Sequence, residues 1–308
     1  MIAPSVNHQF IRFIFTQTGT KMSRLRSIKI AALNIAMHNP HSQSRYISLF
    51  QDASSIQHFV RLGTLHAAML GPLVYENKDD PTLGFTGEIY RFVAIDPSEP
   101  WFNSKTKDAA SEDEIKGVNI PEHLLPHLQT IPFLFKPDIH ELWFVSKDRK
   151  HTFGPQLAVS FFTKLFTEVC RIKQYPIVEV TALPNIETLN ELLTIPKLEK
   201  LTIELKRPNA DDADSDEERW MKKLQKQKAS KMNVEFVASP GESIVPDLET
   251  KTLAGVAARN GKVSVIGRTA SGKRVEESTE SHPLVQTTEV NPQIETVMSV
   301  LKRIASFG

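Results

Sequence analysis

Short apolar runs broken by turn-forming residues fill the first half of the chain, the pattern of buried strands rather than of surface helices. The run Ile28-Lys-Ile-Ala-Ala-Leu-Asn-Ile-Ala-Met37 ends at Asn39-Pro40 and predicts an opening strand. Segments 65–76 and 84–95 flank Asn77-Lys-Asp-Asp-Pro81, a turn composition, and predict a long hairpin. A second strand pair, 131–136 and 140–146, closes around Pro137-Asp138. Between the two pairs, 96–119 is polar and reads as a connection.

The period changes at Gly154-Pro155, which opens a helix running to about Lys173 with Leu157, Phe161, Leu165 and Phe166 on one face. Arg171 and Lys173 in its last turn suit the negative end of the helix dipole. Beyond it the pattern predicts a strand at 177–181, a helix at 186–193, a strand at 198–205, a helix at 217–230 and a strand at 233–237. Residues 208–218 are acidic and lack large apolar side chains, so they read as a solvated loop. A helix near 248–258, a polar hairpin around Ala270-Ser-Gly272 and a closing amphipathic helix at 293–304 complete the chain.

These elements predict an α+β protein: a mostly antiparallel N-terminal sheet followed by a βαβ-like C-terminal α/β layer. The expected division is a β-rich domain at 22–150 and an α/β domain at 151–308. Residues 1–21 read as an extension, with Met22 as an alternative start. Its apolar piece, 10–15, carries Arg12 and is followed by no small-residue cleavage pattern, which makes a poor secretory signal.

With 308 residues, 40% of them hydrophobic and 24% charged, the chain can build two modest cores. The net charge of +1 gives no global attraction to nucleic acid or anionic lipid, so any such attraction must come from local clustering. The single cysteine, Cys170, excludes an intrachain disulfide and fits a reducing compartment. It falls in an apolar helix among Phe161, Phe162, Phe166 and Ile172, where burial argues against a nucleophile. No apolar run approaches the length of about 20 residues that a spanning helix needs. A cytoplasmic location without membrane attachment is the expectation.

The sharpest motif is Gly267-Arg-Thr-Ala-Ser-Gly272-Lys273-Arg274, which has phosphate-loop spacing after a strand-like run. Arg274 stands where the magnesium-holding hydroxyl belongs, and 275–281 offers no apolar helical face. A hairpin turning at Ser271-Gly272 accounts for the same residues and leaves a basic tip of Arg268, Lys273 and Arg274. The second cluster is the helix carrying Lys222, Lys223, Lys226 and Lys228, with Lys231 just beyond. It suits a nucleic-acid backbone, or else is a solvated face anchored by Trp220 and Leu224.

Other chemistry finds little support in spacing. His140-Glu141 lacks a second His four residues on and reads as part of a strand, and Pro126 breaks the pair His123 and His127. There is no Gly-x-Ser-x-Gly elbow. The carboxylates Glu179, Glu187, Glu191 and Glu199 are abundant, but spacing alone assigns no pair to a cleft. No metal ligand set and no cofactor is expected.

The block 131–205, with Ile131-Pro-Phe-Leu-Phe-Lys-Pro137, Phe153-Gly-Pro155, Val178-Glu-Val-Thr-Ala-Leu-Pro184 and Lys200-Leu-Thr-Ile-Glu-Leu-Lys206, resembles an uncharacterised family of bacterial and prophage proteins catalogued as a domain of unknown function. In element order the chain also resembles the Rex A phage-exclusion proteins of temperate phage. That resemblance implies a DNA-binding, dimeric protein of antiviral defence. The leading expectation is therefore a non-enzymatic protein of an exclusion or abortive-infection system. It would bind DNA or RNA backbone through Lys222, Lys223, Lys226, Lys228 and Lys231, helped by Arg268, Lys273 and Arg274. Two alternatives stay open: a protein-interaction or homodimerisation module using a stripe such as Val297, Leu301 and Ile304, and a metal-dependent nuclease.

Overall fold

The structure, a computed structural model, describes residues 25–38, 42–96, 99–118, 121, 123–149, 151–206 and 215–306. The N-terminal extension at 1–21 and most of the acidic segment at 208–218 lie outside them.

The chain opens with β1 (Arg26–Met37) and α1 (Gln43–Ser55). Short β2 (Val60–Arg61), β3 (His66–Leu70) and β4 (Val74–Tyr75) precede the long β5 (Phe85–Val93). The polar connection holds β6 (Phe102–Asn103), β7 (Asp108–Ala109) and α2 (Glu112–Lys116). There follow β8 (Gln129–Lys136), β9 (Glu141–Asp148), β10 (His151–Thr152), α3 (Pro155–Lys173) and β11 (Val178–Ala182). The second half runs α4 (Ile186–Leu193), β12 (Lys197–Lys206), α5 (Ser215–Lys226), β13 (Lys231–Val237) and α6 (Leu248–Arg259). It ends with β14 (Gly261–Arg268), β15 (Arg274–Ser278), β16 (Val285–Val290) and α7 (Val297–Ala305).

The α+β class holds, with an antiparallel sheet first and most of the helix later. The large sheet runs β11-β1-β9-β8-β5-β3-β2, with β16 also on β1. A second sheet runs β13-β12-β14-β15. Strands and helices alternate in the second half as expected, yet its described pairings, like those of the large sheet, are antiparallel. α5 joins the antiparallel neighbours β12 and β13, whereas α6 carries the chain from β13 over β12 to β14, and because both of these run antiparallel to β12 they are parallel to each other, a split βαβ crossover.

The large sheet is covered on both faces. On one, α1 and α3 bury an aromatic core in which Phe50 lies 4.6 Å from Phe135 and 5.2 Å from Phe166, ring centre to ring centre. Tyr46 ties α1 to β1 by accepting the Met37 amide proton at 2.7 Å. On the other face α7 packs Val300 and Leu301 against Ile28, Ile30, Trp143 and Val145. The stripe considered for dimerisation is therefore used inside the fold: Leu301 is fully buried, and Val297 and Ile304 pack on the same core. Its apolar face satisfies this chain's own sheet before any partner can reach it.

A separate core fills one face of the second sheet, where Leu201, Ile203, Leu205, Val263 and Val265 meet α4, α5 and α6. Trp220 and Leu224 are the two anchors of α5, as their spacing predicts. Because α3, β11, β16 and α7 all belong to the large sheet or its cores, the division expected at residue 150 does not coincide with the packing. The second core is an insertion between β11 and β16. Strand pairing across such a distance in sequence leaves no local mark, which is why β11 reads locally as the start of the second layer.

Among the described residues no helix is long and apolar enough to cross a membrane.

Candidate functional site

The phosphate-loop spacing resolves into a hairpin. β14 and β15 pair antiparallel with Arg268 opposite Arg274, and the turn closes through the Gly272 amide donating to the Thr269 carbonyl at 2.9 Å. Gly272 takes φ +81°, a conformation that disfavours other residues, so the glycine serves the turn. No helix follows to present its N-terminus to a phosphate.

The eight predicted cations fall into two groups. Lys222, Lys223 and Lys226 lie exposed on α5, Lys228 follows in the turn, and Lys231 begins β13 opposite Lys206. Arg268 sits opposite Lys197, at the other end of β12. At the rise of an extended strand the two ends are about 30 Å apart. The hairpin cations therefore do not extend the α5 cluster into one patch.

Local pairing sorts them further. On the open face of the second sheet, cations and carboxylates alternate across strands: Lys200 with Glu235 at 2.8 Å, Lys231 with Glu204 at 2.8 Å and Arg268 with Glu199 at 2.9 Å. Arg274 lies 3.8 Å from Glu276, and Lys222 reaches Glu218 one helical turn back at 2.5 Å. Lys223 instead lies 4.7 Å over the Trp220 ring, with Arg219 at 5.4 Å from the same ring and bonded to Glu249. Lys223, Lys226 and Lys228 have no carboxylate within ion-pair distance among the described residues.

A second feature was not legible in spacing. A cleft of about 420 Å³ opens where the chain crosses from the large sheet into the second core and back. Its walls come from β9 (Glu141, Trp143), the outgoing crossing (Leu183, Pro184, Asn185), the first turn of α4 (Ile186, Glu187), the end of α6 (Arg259), the returning crossing (Leu284) and the start of β16 (Val285, Gln286). The crossings are stitched by Leu284 donating to the Leu183 carbonyl at 2.7 Å and Asn185 to the His282 carbonyl at 3.0 Å. Glu141 follows His140, which sits in the turn ahead of β9 at φ +56°, buried 4.5 Å from the Tyr46 ring, and not in a strand. The Glu141 carboxylate accepts from Trp143 Nε1 at 2.9 Å. Burial pushes its pKa above the ordinary range, against the pull of Trp143, Arg259 and Lys136.

Beside the cleft the joint is polar. Asn34 Nδ2 donates to the Arg259 carbonyl at 3.2 Å and to Asn260 Oδ1 at 3.1 Å, and Asn260 Nδ2 donates to Glu217 at 3.0 Å. Glu179 joins Lys206 at 3.0 Å and His38 at 3.3 Å, contacts that hold its carboxyl below the usual range, the His38 hydrogen bond foremost. The abundant glutamates thus divide: Glu179 and Glu199 are ion-pair partners, while Glu187 lines the cleft. Cys170 is half-buried, donates to the Pro176 carbonyl at 3.3 Å, and has its pKa raised by burial, a setting opposed to thiolate chemistry. Among the described residues no three His, Cys, Asp or Glu side chains are grouped as a metal site requires.

No curated protein matches the chain. One family model does, the domain of unknown function DUF4747, over residues 26–306. The match spans β1 through α7 and so takes in both sheets, the α5 cluster and the cleft; it carries no likeness to Rex A. The chain belongs to the DUF4747 family of uncharacterised domains.

Proposed function

We propose that the protein binds the backbone of DNA or RNA without cleaving it, through the outward face of α5, in a bacterial or prophage exclusion system. The observation that carries this reading is the contrast in pairing. Lys200 and Lys231 on the open sheet face and Arg268 and Arg274 of the hairpin are matched by glutamates, whereas Lys223, Lys226 and Lys228, like the single Lys273 at the hairpin tip, face solvent with no such match among the described residues. Trp220 and Leu224 fix the helix to the core, so its cations are presented on a rigid element. A phosphate chain neutralises such a row without reading bases. Arg268, Lys273 and Arg274 take at most a separate, weaker part, because their end of β12 lies too far away to share one short duplex contact.

The test is a fluorescence-anisotropy titration with short duplex DNA, single-stranded DNA and RNA at two salt concentrations, with magnesium present and products examined on a gel. Three phosphate contacts give a slope of log K against log salt of about −2 to −3 on duplex DNA. Charge reversal at Lys223, Lys226 and Lys228 together removes binding, while reversal at Arg268, Lys273 and Arg274 leaves most of it. Binding unchanged by the α5 reversal overturns the assignment, and cleavage would promote the nuclease reading. The exclusion setting is tested in cells: plaque counts equal with and without expression of the protein reject it.

One observation favours a second reading, self-association. β13 is an edge strand of the second sheet, with Phe236 and Val237 exposed on it. An unpaired edge bearing apolar side chains is a template for a strand from a second copy. Light scattering that reports a monomer at high concentration rejects this.

A further inference from the structure

We propose that the cleft between Glu141 and Arg259 binds a small zwitterion with an apolar body, of which an apolar α-amino acid is the simplest example. A volume of about 420 Å³ lies within the usual range of small-molecule sites, and a joint between two packed units is a usual place for one. Leu183, Pro184, Ile186 and Leu284 supply the apolar part of the wall. Its charged groups are of both signs and are not spent on each other. Glu141 accepts one hydrogen bond, from Trp143, and forms no ion pair with Arg259, although Arg259 is near enough to pull on its proton. The Arg259 side chain has no hydrogen-bond or ion-pair partner among the described residues; the joint uses only its backbone carbonyl.

A half-buried carboxylate with a single protein donor has acceptor positions open to the cleft, and an ammonium group with three donors complements them. Glu187 on the same wall adds to the negative side. The guanidinium of Arg259, at the exposed end, complements a carboxylate. A ligand carrying only one of the two charges would leave the other wall group without a partner.

Isothermal titration calorimetry on the full chain tests this with three probes of matched body: L-leucine, isoamylamine and 4-methylvalerate. Leucine gives saturable binding by millimolar concentration, and both single-charge probes bind at least about tenfold more weakly, the loss expected for one charged hydrogen-bonding group. Glu141→Gln and Arg259→Gln, each with an unchanged circular dichroism spectrum, weaken leucine by a similar factor. In addition, Glu141→Gln narrows the gap between leucine and 4-methylvalerate, and Arg259→Gln that between leucine and isoamylamine. Absence of saturable leucine binding, equal binding of the amine and the amino acid, or full affinity in Glu141→Gln each overturns the proposal.

Discussion

Glu141 begins β9 in a half-buried setting, and its proton links the cleft to the stability of the fold. Because burial raises its pKa, the native chain holds the proton more tightly than the unfolded chain does. The stability so contributed is fully present below the ordinary carboxylate pKa and is lost as pH rises through the raised value. Glutamine keeps an acceptor for Trp143 Nε1 and has no charge to desolvate. Thermal melts should therefore place Glu141→Gln above the parent near neutral pH, with the gap closing by about pH 4; a gap independent of pH would show that the carboxylate is solvated. Two glycines make the contrasting steric case. A Cβ on Gly261 would press into the Glu204 carbonyl of the neighbouring strand, whereas one on Gly255, inside α6, would meet nothing. Urea unfolding should find Gly261→Ala less stable by about 1–3 kcal/mol and Gly255→Ala more stable by about 0.5–1 kcal/mol. The anchors Trp220 and Leu224 were legible in the sequence because four-residue spacing is a local property. The role of Glu141 was not, since its burial is made by segments more than forty residues away in sequence on one side and more than a hundred on the other.

At the scale of the element, strong periodicity was readable and weak periodicity was hidden. α3 and α4 match their expected bounds, and the pairs β8–β9 and β14–β15 turn where their Pro-Asp and Ser-Gly residues place them. α1 went unpredicted, although Ser42 caps it and Tyr46, Phe50 and Ala53 lie on one face. Its serines and glutamines dilute that face, and the capping residue was the usable signal. β16 also went unpredicted: four of its six residues are Gln, Thr, Thr and Glu, and it is a strand because β1 offers it backbone partners. α7 was located, but whether its stripe faced its own sheet or a partner depends on what lies opposite. Leu301→Ala should settle that difference, lowering stability by about 2–5 kcal/mol in urea while leaving the mass by light scattering unchanged. Loss of mass without loss of stability would return α7 to an interface.

At the scale of the molecule, the second core is an inserted unit held to the large sheet by two crossing segments and a small polar joint. The two cores are separate apolar clusters, and the link between them is made of the Lys206–Glu179 ion pair and of hydrogen bonds worth about 0.5–1.5 kcal/mol net apiece. Asn260 is the centre of that link, bonding Asn34 across the joint and Glu217 and the Val256 carbonyl within the second unit. Hydrogen exchange read by mass spectrometry should accordingly divide the chain in two, with β12, β14 and α6 sharing one opening and β8, β9 and α3 another of higher free energy. The order follows from the cores, since the large sheet is packed on both faces and the second sheet on one. Asn260→Ala should hasten exchange in β12, β14 and α6 and leave β8 and β9 unchanged. Uniform acceleration through both sheets would mean that the joint carries the cooperativity of the whole fold, and that the cleft lies within one rigid body. Acceleration confined to the second unit would mean that the two walls of the cleft belong to bodies able to separate, so that a ligand bridging Glu141 and Arg259 would also slow the opening between them.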